Sequence, residues 1–569
     1  MAKWQDKLSV NDTLLWSYYQ NALDYQIRMG LRDKIPTCID FYEGKQWPLP
    51  TENTKNLPRP VVNIIKMVCR TKKSAILSSP VKINYKSFTP YADMDMFNSF
   101  ADSVFKDMGQ GELDRLALED AVKKGSYFYH YYWDSEAKSL NSDEIGALRC
   151  EIIDPLNIFF SNPAEISEQN QDWIIISTRL ELSKIRKLAD SGKSLTKLVP
   201  DEDIASCSVL EQDGGNMATL LTRYFKQDGE IWCERATRTC VINDPFKIIP
   251  NNDFSAPVVD KEGKKVFVNL TESTSKKSIG LYPIVAGFYE KKEGSIYGIG
   301  EVEGLIPNQK AINFNIAMSL LNAQQCAWGK YIALPNALNG QKISNVPGQV
   351  LIDYSGTGEG IKRLEQDELS KVPMELTVTL AELTRSATGT SAVLTGDSYT
   401  NNLSGAAIAY LQSQALLPIE ELKSAFWNVK RKQGLVVAQF LKNFYYKRPF
   451  IKTSTDSDGK KHESFEEFSS FSYKYASLDV TVEVVGGTRA SVASDISLLE
   501  TCLKTGKISL ETYIKAYPDS ARTNKEEILK HIKQEKDDEL SKTKIELERC
   551  KEKLKAYQQK ETLKGEVIN

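Results

Sequence analysis

The spacing of hydrophobic positions changes along the chain from a helical period to a strand period near Ser126. Upstream of this point the pattern predicts helices near residues 11–30, 61–78, 93–108 and 112–125. Downstream, aromatic and aliphatic runs predict strands near residues 127–133, 148–153, 173–177, 218–226, 230–242 and 280–289, with a short helix near 182–190. Helices followed by a series of short strands are typical of an α+β domain.

Residues 311–329 carry no charged side chain and lie between Lys310 and Lys330. The stretch is long enough to span a bilayer. It contains several amide side chains, however, among them Asn313 and Asn315, which hydrocarbon would leave without hydrogen-bond partners. The pattern therefore predicts a helix that is buried against protein and no membrane segment.

The predicted helix carries an amide stripe and an apolar stripe. Their members are Asn308, Asn315 and Asn322 at intervals of seven residues, and Ile312, Ile316 and Leu320 at intervals of four. A helix uncharged on every face is normally enclosed by neighbours, so we interpret both stripes as contacts between copies of the chain in an assembly. A central core helix of a large monomer explains the same periodicity, and this alternative stays open.

A small β-containing insert and two further helices follow in the pattern. We predict insert strands at residues 330–335 and 348–353, a second helix over about 366–387, a polar loop over 388–403, and a long helix from Ser404 to about Tyr446. Pro418 removes one backbone donor from the long helix and is expected to kink it. The polar loop contains neither Lys nor Arg.

The C-terminal part is predicted to hold a strand at 478–485 and then a helical tail, with one helix at 510–517. Leu540, Leu547 and Leu554 lie at heptad spacing in a highly charged segment. This spacing fits a short coiled coil and equally a solvated helix, so both interpretations stay open.

Composition limits the function classes. A chain of 569 residues is too long for one hydrophobic core, and three or four structural regions are expected. The first residues lack the apolar core of a signal peptide, and the nine cysteines include no C-x-x-C pair, so we expect folding in the cytosol with free thiols. The formal net charge of −2 argues against a protein that grips duplex DNA by neutralising phosphates.

No catalytic or cofactor motif stands out. The three histidines are widely separated in sequence, Gly192-Lys193-Ser194 lacks the upstream glycine of a phosphate-binding loop, and residues 456–459 lack the bidentate Glu of a calcium loop. The aromatic run 127–133 could stack on bases, but aromatic residues in a strand more often form core. We therefore expect no metal, no cofactor and no enzymatic activity.

The order of parts resembles the portal proteins of tailed bacteriophages. The residues that carry the resemblance are 297–313 (YGIGEVEGLIPNQKAIN), 345–348 (NVPG), 388–396 (TGTSAVLTG) and 404–408 (SGAAI), and upstream 59–63 (RPVVN), 125–127 (GSY) and 153–157 (IDPLN). The similarity covers about residues 40–485. It implies a ring of copies, dodecameric in the virion, at one capsid vertex, with double-stranded DNA passing through the axis.

The resemblance also assigns parts to the chain. These are a wing at 1–300 that is completed by the long kinked helix and its sequel at 405–485, stem helices at 301–329 and 366–388, a clip at 330–365, a tunnel loop at 389–404, and a helical crown and tail at 486–569. The implied partners are other copies of the chain, the terminase large subunit and later a head-tail adaptor at the clip, and the major capsid and scaffolding proteins. No membrane is expected, and the place would be the virion, after synthesis in the bacterial cytoplasm.

Two sets of residues would face the channel in this hypothesis. An acidic belt is predicted from Glu365, Asp367, Glu368, Glu375 and Glu382, although ordinary solvation or subunit contacts explain such acids equally well. The tunnel-loop residues are Thr395, Asp397, Ser398, Tyr399, Thr400, Asn401 and Asn402. Because this loop has no cation, its contacts with DNA are expected to be steric and weakly polar.

Two rival classes share part of these features. Another ring-forming scaffold protein of a virion would assemble in the same way but would not bind terminase through a clip. A carboxylate-dependent enzyme would need a concave site that titrates or binds a divalent metal.

Overall fold

A glycine in the left-handed region separates the first two helices; the first agrees with the helix predicted near 11–30, and the second, Leu31–Glu43, was not predicted. Gly30 has a φ of 68°, which ends the first helix and lets the chain turn into a second helix that contains Pro36. The α-helices before the sheets are α1 (Leu14–Arg28), α2 (Leu31–Glu43), α3 (Ile64–Leu77), α4 (Met94–Asp107) and α5 (Gln110–Lys124). The computed structural model describes residues 12–55, 57–88, 93–139, 142–190, 193, 195–201, 216–248, 257–259, 265–267, 279–327, 331–335, 337–342, 344, 350, 352–356, 359–363, 372–390, 405–445, 447–455, 461–473, 476–484, 489–517 and 525–565.

Two antiparallel sheets follow the helices. The elements of this region are β1 (Val81–Ser87), β2 (Ser126–Ser139), β3 (Ser142–Ile153), β4 (Ile158–Phe160), β5 (Trp173–Glu181), α6 (Leu182–Leu188), β6 (Met217–Gln227), β7 (Glu230–Ala236), β8 (Val241–Lys247), β9 (Pro257–Val259), β10 (Lys265–Phe267) and β11 (Ile284–Phe288). One sheet has the strand order β11-β2-β3 and the other β4-β5-β6-β7-β8. About half of the structure is helical and about a quarter is strand, which agrees with the α+β prediction.

The single strand predicted over 230–242 is wrong. The structure has two strands there, β7 and β8, joined by a tight turn in which the amide of Thr237 donates to the carbonyl of Cys240. The side-chain hydroxyl of Thr237 also accepts from the amide of Cys240, so this threonine stabilises the turn at both backbone positions.

The elements of the C-terminal half include a strand that pairs with a strand near the start of the chain. They are α7 (Glu301–Ala327), β12 (Tyr331–Ala333), β13 (Ile361–Arg363), α8 (Val372–Ala387), α9 (Gly405–Phe444), β14 (Lys447–Thr455), β15 (Lys461–Ser469), β16 (Leu478–Val484), α10 (Arg489–Lys504), α11 (Leu510–Ala516) and α12 (Lys525–Gly565). Strand β16 pairs with β1. Both strands cross α9 at Gly434, where an added Cβ would come within 2.6 Å of Val480.

The strand predicted at 348–353 is also wrong. The partner of β12 is β13, and the described residues Val350, Ile352 and Asp353 are outside any strand. The reason is local, because the Asp353 carboxylate accepts from the amides of Ser355 and Gly360 and thereby holds the chain in a polar turn.

The main core contains the aromatic run of β2. Tyr127, Phe128, Tyr129 and Tyr131 are each no more than 1% exposed, which confirms the core interpretation of this run. Residues of α9, among them Phe440, pack into the same core.

Contacts within the chain define two units, one of Met1–Ser398 with Ala415–Val485 and the other of Tyr399–Gln414 with Gly486–Asn569. In the second unit, α11 packs against α10 and α12. Leu540, Leu547 and Leu554 of α12 are exposed. The wing, stem, clip, tunnel-loop and crown boundaries remain predictions.

Candidate assembly surface on the stem helices

A close approach of two backbones fixes the start of α7. The amide of Gly298 donates to the hydroxyl of Ser126 at 2.7 Å, and a Cβ added at Gly298 would lie 2.5 Å from the carbonyl oxygen of Glu290. Gly125, which ends α5 with a φ of 83°, lies against the same position. Two of the sequence phrases that carried the family resemblance, 125–127 and 297–313, therefore meet at one point, and glycine is required there for steric reasons.

A buried ion pair holds the first turn of α7. The Lys72 ammonium lies 2.7 Å from Glu301, and the Tyr289 hydroxyl donates to the other oxygen of that carboxylate at 2.6 Å. Burial, reinforced by Glu301, keeps the pKa of Tyr289 well above its usual value, so the phenol stays protonated and donates. The carboxylate also lies at the positive end of the helix.

The inner face of α7 packs within its own chain. Val302, Leu305 and Ile312 belong to a hydrophobic cluster with residues of α2 and α3. The amides on this face are satisfied, because Gln309 donates to the carbonyl of Val62 at 2.7 Å and Asn313 donates to Gln46 at 2.6 Å. For this face, the core-helix alternative holds.

A second side of α7 contacts α8. Asn308 donates to the hydroxyl of Thr384 at 3.3 Å, and Ile316 and Leu380 pack against the same hydrophobic cluster. On α8 the side facing α7 consists of Thr377, Leu380, Ala381 and Thr384, at the i, i+3, i+4, i+7 spacing of one helix face.

The predicted interface residues therefore occupy different environments. Ile312 is 1% exposed and has no surface left for another copy, whereas Leu320 is 43% exposed. Asn315, Ile316 and Asn322 are half-buried, and Asn308 is exposed although it bonds to α8.

A third side of α7, away from the core, is apolar and exposed. We call it the outer stripe, and its members are Pro307, Ala311, Phe314 and Met318. Phe314 is 57% exposed and Met318 is 42% exposed. The stripe was not predicted from the sequence, although its spacing of three to four residues is visible there. The amides on the neighbouring side of the helix were interpreted as the contact surface instead.

Helix α8 likewise has an exposed side that faces away from α7. We call it the free face of α8, and its members are Val372, Glu375, Leu376, Glu382 and Leu383. Val372 and Leu383 are more than 60% exposed. Glu375 and Glu382 are exposed acids of the predicted belt, and neither forms an ion pair with another described residue. Glu365, Asp367, Glu368 and all the tunnel-loop residues, from Thr395 to Asn402, lie outside the described residues.

Helices α7 and α8 and the insert between them lie inside a segment that matches a known family. The model described as "Phage P22-like portal protein" matches residues 268–472, which is less than half of the chain. This model describes tailed-phage portal proteins. The resemblance stated from the sequence phrases is thereby confirmed for the matched segment, and the match supports a general portal function and a capsid-vertex location. No curated protein matches the chain.

Among the described residues, no group of three or more His, Cys, Asp or Glu side chains is arranged to hold a metal ion. No described helix is both long and apolar enough to cross a membrane.

Proposed function

We propose that the chain assembles into a dodecameric ring at a unique capsid vertex and acts there as the channel for genome packaging and ejection. The insert between α7 and α8 serves as the clip that docks the terminase large subunit and then the adaptor. Energy for packaging comes from the terminase, and the portal itself is not an enzyme. The family match over the stem and clip supports this proposal.

The observation that carries the proposal is the pair of exposed apolar sides on the stem helices. The outer stripe of α7 and the free face of α8 are on different sides of the two-helix unit, so neither can cover the other within one chain. A contact between two different surfaces repeats from copy to copy and closes into a ring when the rotation allows it. Exposed apolar side chains of this size also mark protein interfaces in general.

The test is a pair of matched substitutions. Phe314→Asp places a carboxylate in the outer stripe, and burying an unpaired charge costs several kcal/mol at each interface, so the variant should sediment as monomers. Phe465→Asp is the control, because Phe465 is 85% exposed on β15, a strand that pairs with β14. This variant should still form rings. Intact rings for Phe314→Asp in sedimentation velocity would remove the stem from the subunit interface.

A further inference from the structure

A proline-rich loop with internal hydrogen bonds adjoins α7. We call residues 47–62, of which Asn56 is not described, the proline loop; its prolines are Pro48, Pro50, Pro58 and Pro60. Internal hydrogen bonds hold its shape, because the Arg59 guanidinium donates to the carbonyl of Pro48 at 3.0 Å and the Trp47 indole donates to the carbonyl of Pro60 at 2.8 Å. A loop braced in this way loses little conformational entropy on binding a partner.

The surface of the proline loop is apolar with a basic rim. Leu49 is 89% exposed, Val62 is 51% exposed, and Leu57 and Val61 are also exposed. Lys55 is an exposed cation of the loop, and Lys310 is an exposed cation on the adjoining part of α7. Neither lysine forms an ion pair within the described residues; the Lys310 ammonium lies only over the ring of Phe41. Exposed leucines and valines beside unpaired cations fit a partner that is apolar and acidic.

Both ends of the loop are fixed to α7. Gln46, just before the loop, accepts from Asn313, and the carbonyl of Val62, its last residue, accepts from Gln309. The side of α7 that contacts α8 is marked by Asn308. At 3.6 residues per turn, Asn313 is about 140° around the helix from Asn308. The loop therefore lies on a part of α7 turned away from α8 of the same chain.

The free face of α8 has the complementary chemistry. It combines the exposed apolar residues Leu376 and Leu383 with Glu375 and Glu382, each directly adjacent to one of these leucines in sequence. In a ring built by the contact proposed above, the free face of α8 on one copy meets the α7 side of the next copy, while α7 of its own chain covers the opposite side of α8. The α7 side of that next copy is where the proline loop stands.

We propose that the proline loop of each copy packs on the free face of α8 of the neighbouring copy, with Lys55 and Lys310 opposite Glu375 and Glu382. This inference rests on the proposed ring. It places these two acids at the boundary between subunits, where they select the correct neighbour, and so removes them from the acidic belt of the channel. The partner that binds the loop surface is a second copy of this chain, because the free face of its α8 is complementary to the loop in charge and in apolar surface.

Charge exchange in the full-length protein tests the contact. Lys55→Glu with Lys310→Glu, and Glu375→Lys with Glu382→Lys, should each raise the concentration for half-assembly about tenfold in sedimentation velocity at low salt, as like charges then oppose each other. Combining all four changes should recover most of the loss. Lys184→Glu, the same change at an exposed lysine of α6, should have no effect. The proposal is overturned if the combined chain assembles no better than its weaker parent, or if neither parent differs from the unmodified chain.

Cross-linking gives an independent measurement that needs no substitution. Rings assembled from mixed heavy- and light-nitrogen copies are treated with a carbodiimide, which joins amines to carboxylates in direct contact. Heavy–light linked peptides between the segment 45–66 or Lys310 and the segment 372–390 are expected. Rings that form but give no such links contradict the loop contact and leave the proposed function standing. A chain that forms no rings at all contradicts the proposed function itself.

Discussion

The Lys72 ammonium and the Glu301 carboxylate form an ion pair of 2.7 Å in which the two side chains are only 10% and 12% exposed. The pair ties α3 to the first turn of α7, the helix that follows the two sheets. A second lysine, Lys34 of α2, reaches the same turn through Glu303 at 2.8 Å, but that pair is largely exposed. One helix end thus holds a buried and an exposed ion pair side by side.

These two pairs allow a matched stability test. Lys72→Met leaves Glu301 buried without its cation and should lower the free energy of unfolding by about 3 kcal/mol. Lys34→Met removes an exposed pair and should change it by less than about 1 kcal/mol. Thermal unfolding of the two variants in one buffer measures the difference. Equal shifts in melting temperature would show that the buried pair has no special role at the start of α7.

A second prediction concerns the glycine at the junction of α5 and α7. Gly298→Ala introduces a Cβ that would meet the carbonyl oxygens of Glu290 and Gly125 at 2.5 and 2.6 Å, so one backbone must move and stability should fall by about 2 kcal/mol. Gly111→Ala in α5 is the control, since an added Cβ there meets nothing within 4 Å and helix propensity improves. Circular dichroism melts should separate the variants, with Gly111→Ala at least as stable as the unmodified chain. A Gly298→Ala protein of unchanged stability would contradict the steric argument.

The sequence predicted the elements with strong local patterns but missed those that depend on distant partners. The helices α3, α4 and α5 and the long α9 appeared with nearly correct bounds, because apolar periodicity and glycine or proline stops are local signals. Strand β1 was missed because it is one seven-residue segment whose partner β16 follows about four hundred residues later. The phrase Tyr297 to Asn313 was recognised as important. Its physical basis, a glycine pressed against another backbone, became visible only in three dimensions.

The candidate site was predicted less well than the fold. Amide spacing on α7 suggested contacts between copies, yet Asn308 binds Thr384 and Ile312 is buried in its own chain. Periodicity shows which residues share a face but not which neighbour covers that face. The exposed side of α7 that carries Phe314 became evident only from the solvent exposure of its side chains in the structure. The acidic residues of α8 could be assigned to its free face only after the side that contacts α7 was known.

A third prediction follows from the buried thiols. Burial raises the pKa of Cys69 and of Cys233 to about 12, each from 9.0. Below pH 9 both thiols are neutral in folded and unfolded chains, so this stabilising effect is fully present; it is lost as pH rises from 9 toward 12, because only the unfolded chain ionises easily. The melting temperature should therefore fall progressively above pH 9.

Thiol labelling tests the raised pKa values of Cys69 and Cys233 through the reactivity of these two thiols. In the folded protein at pH 9.5, iodoacetamide should modify the exposed Cys550 within minutes and leave Cys69 and Cys233 unmodified, as judged by peptide mass spectrometry. Adding denaturant should make all three react alike, which serves as the control. Modification of Cys233 at the rate of Cys550 in a chain that is still folded would contradict the raised pKa values.

Ring formation is tested most directly by electron microscopy of the purified, full-length protein in negative stain. The account predicts closed rings with an axial hole wide enough for duplex DNA. Rings taken from assembled virions should show twelve copies in their class averages. The purified rings should be lost in Phe314→Asp but not in Phe465→Asp. Particles that remain single copies at micromolar concentration, or that form open chains or closed assemblies without an axial hole, would contradict the portal function proposed for this chain.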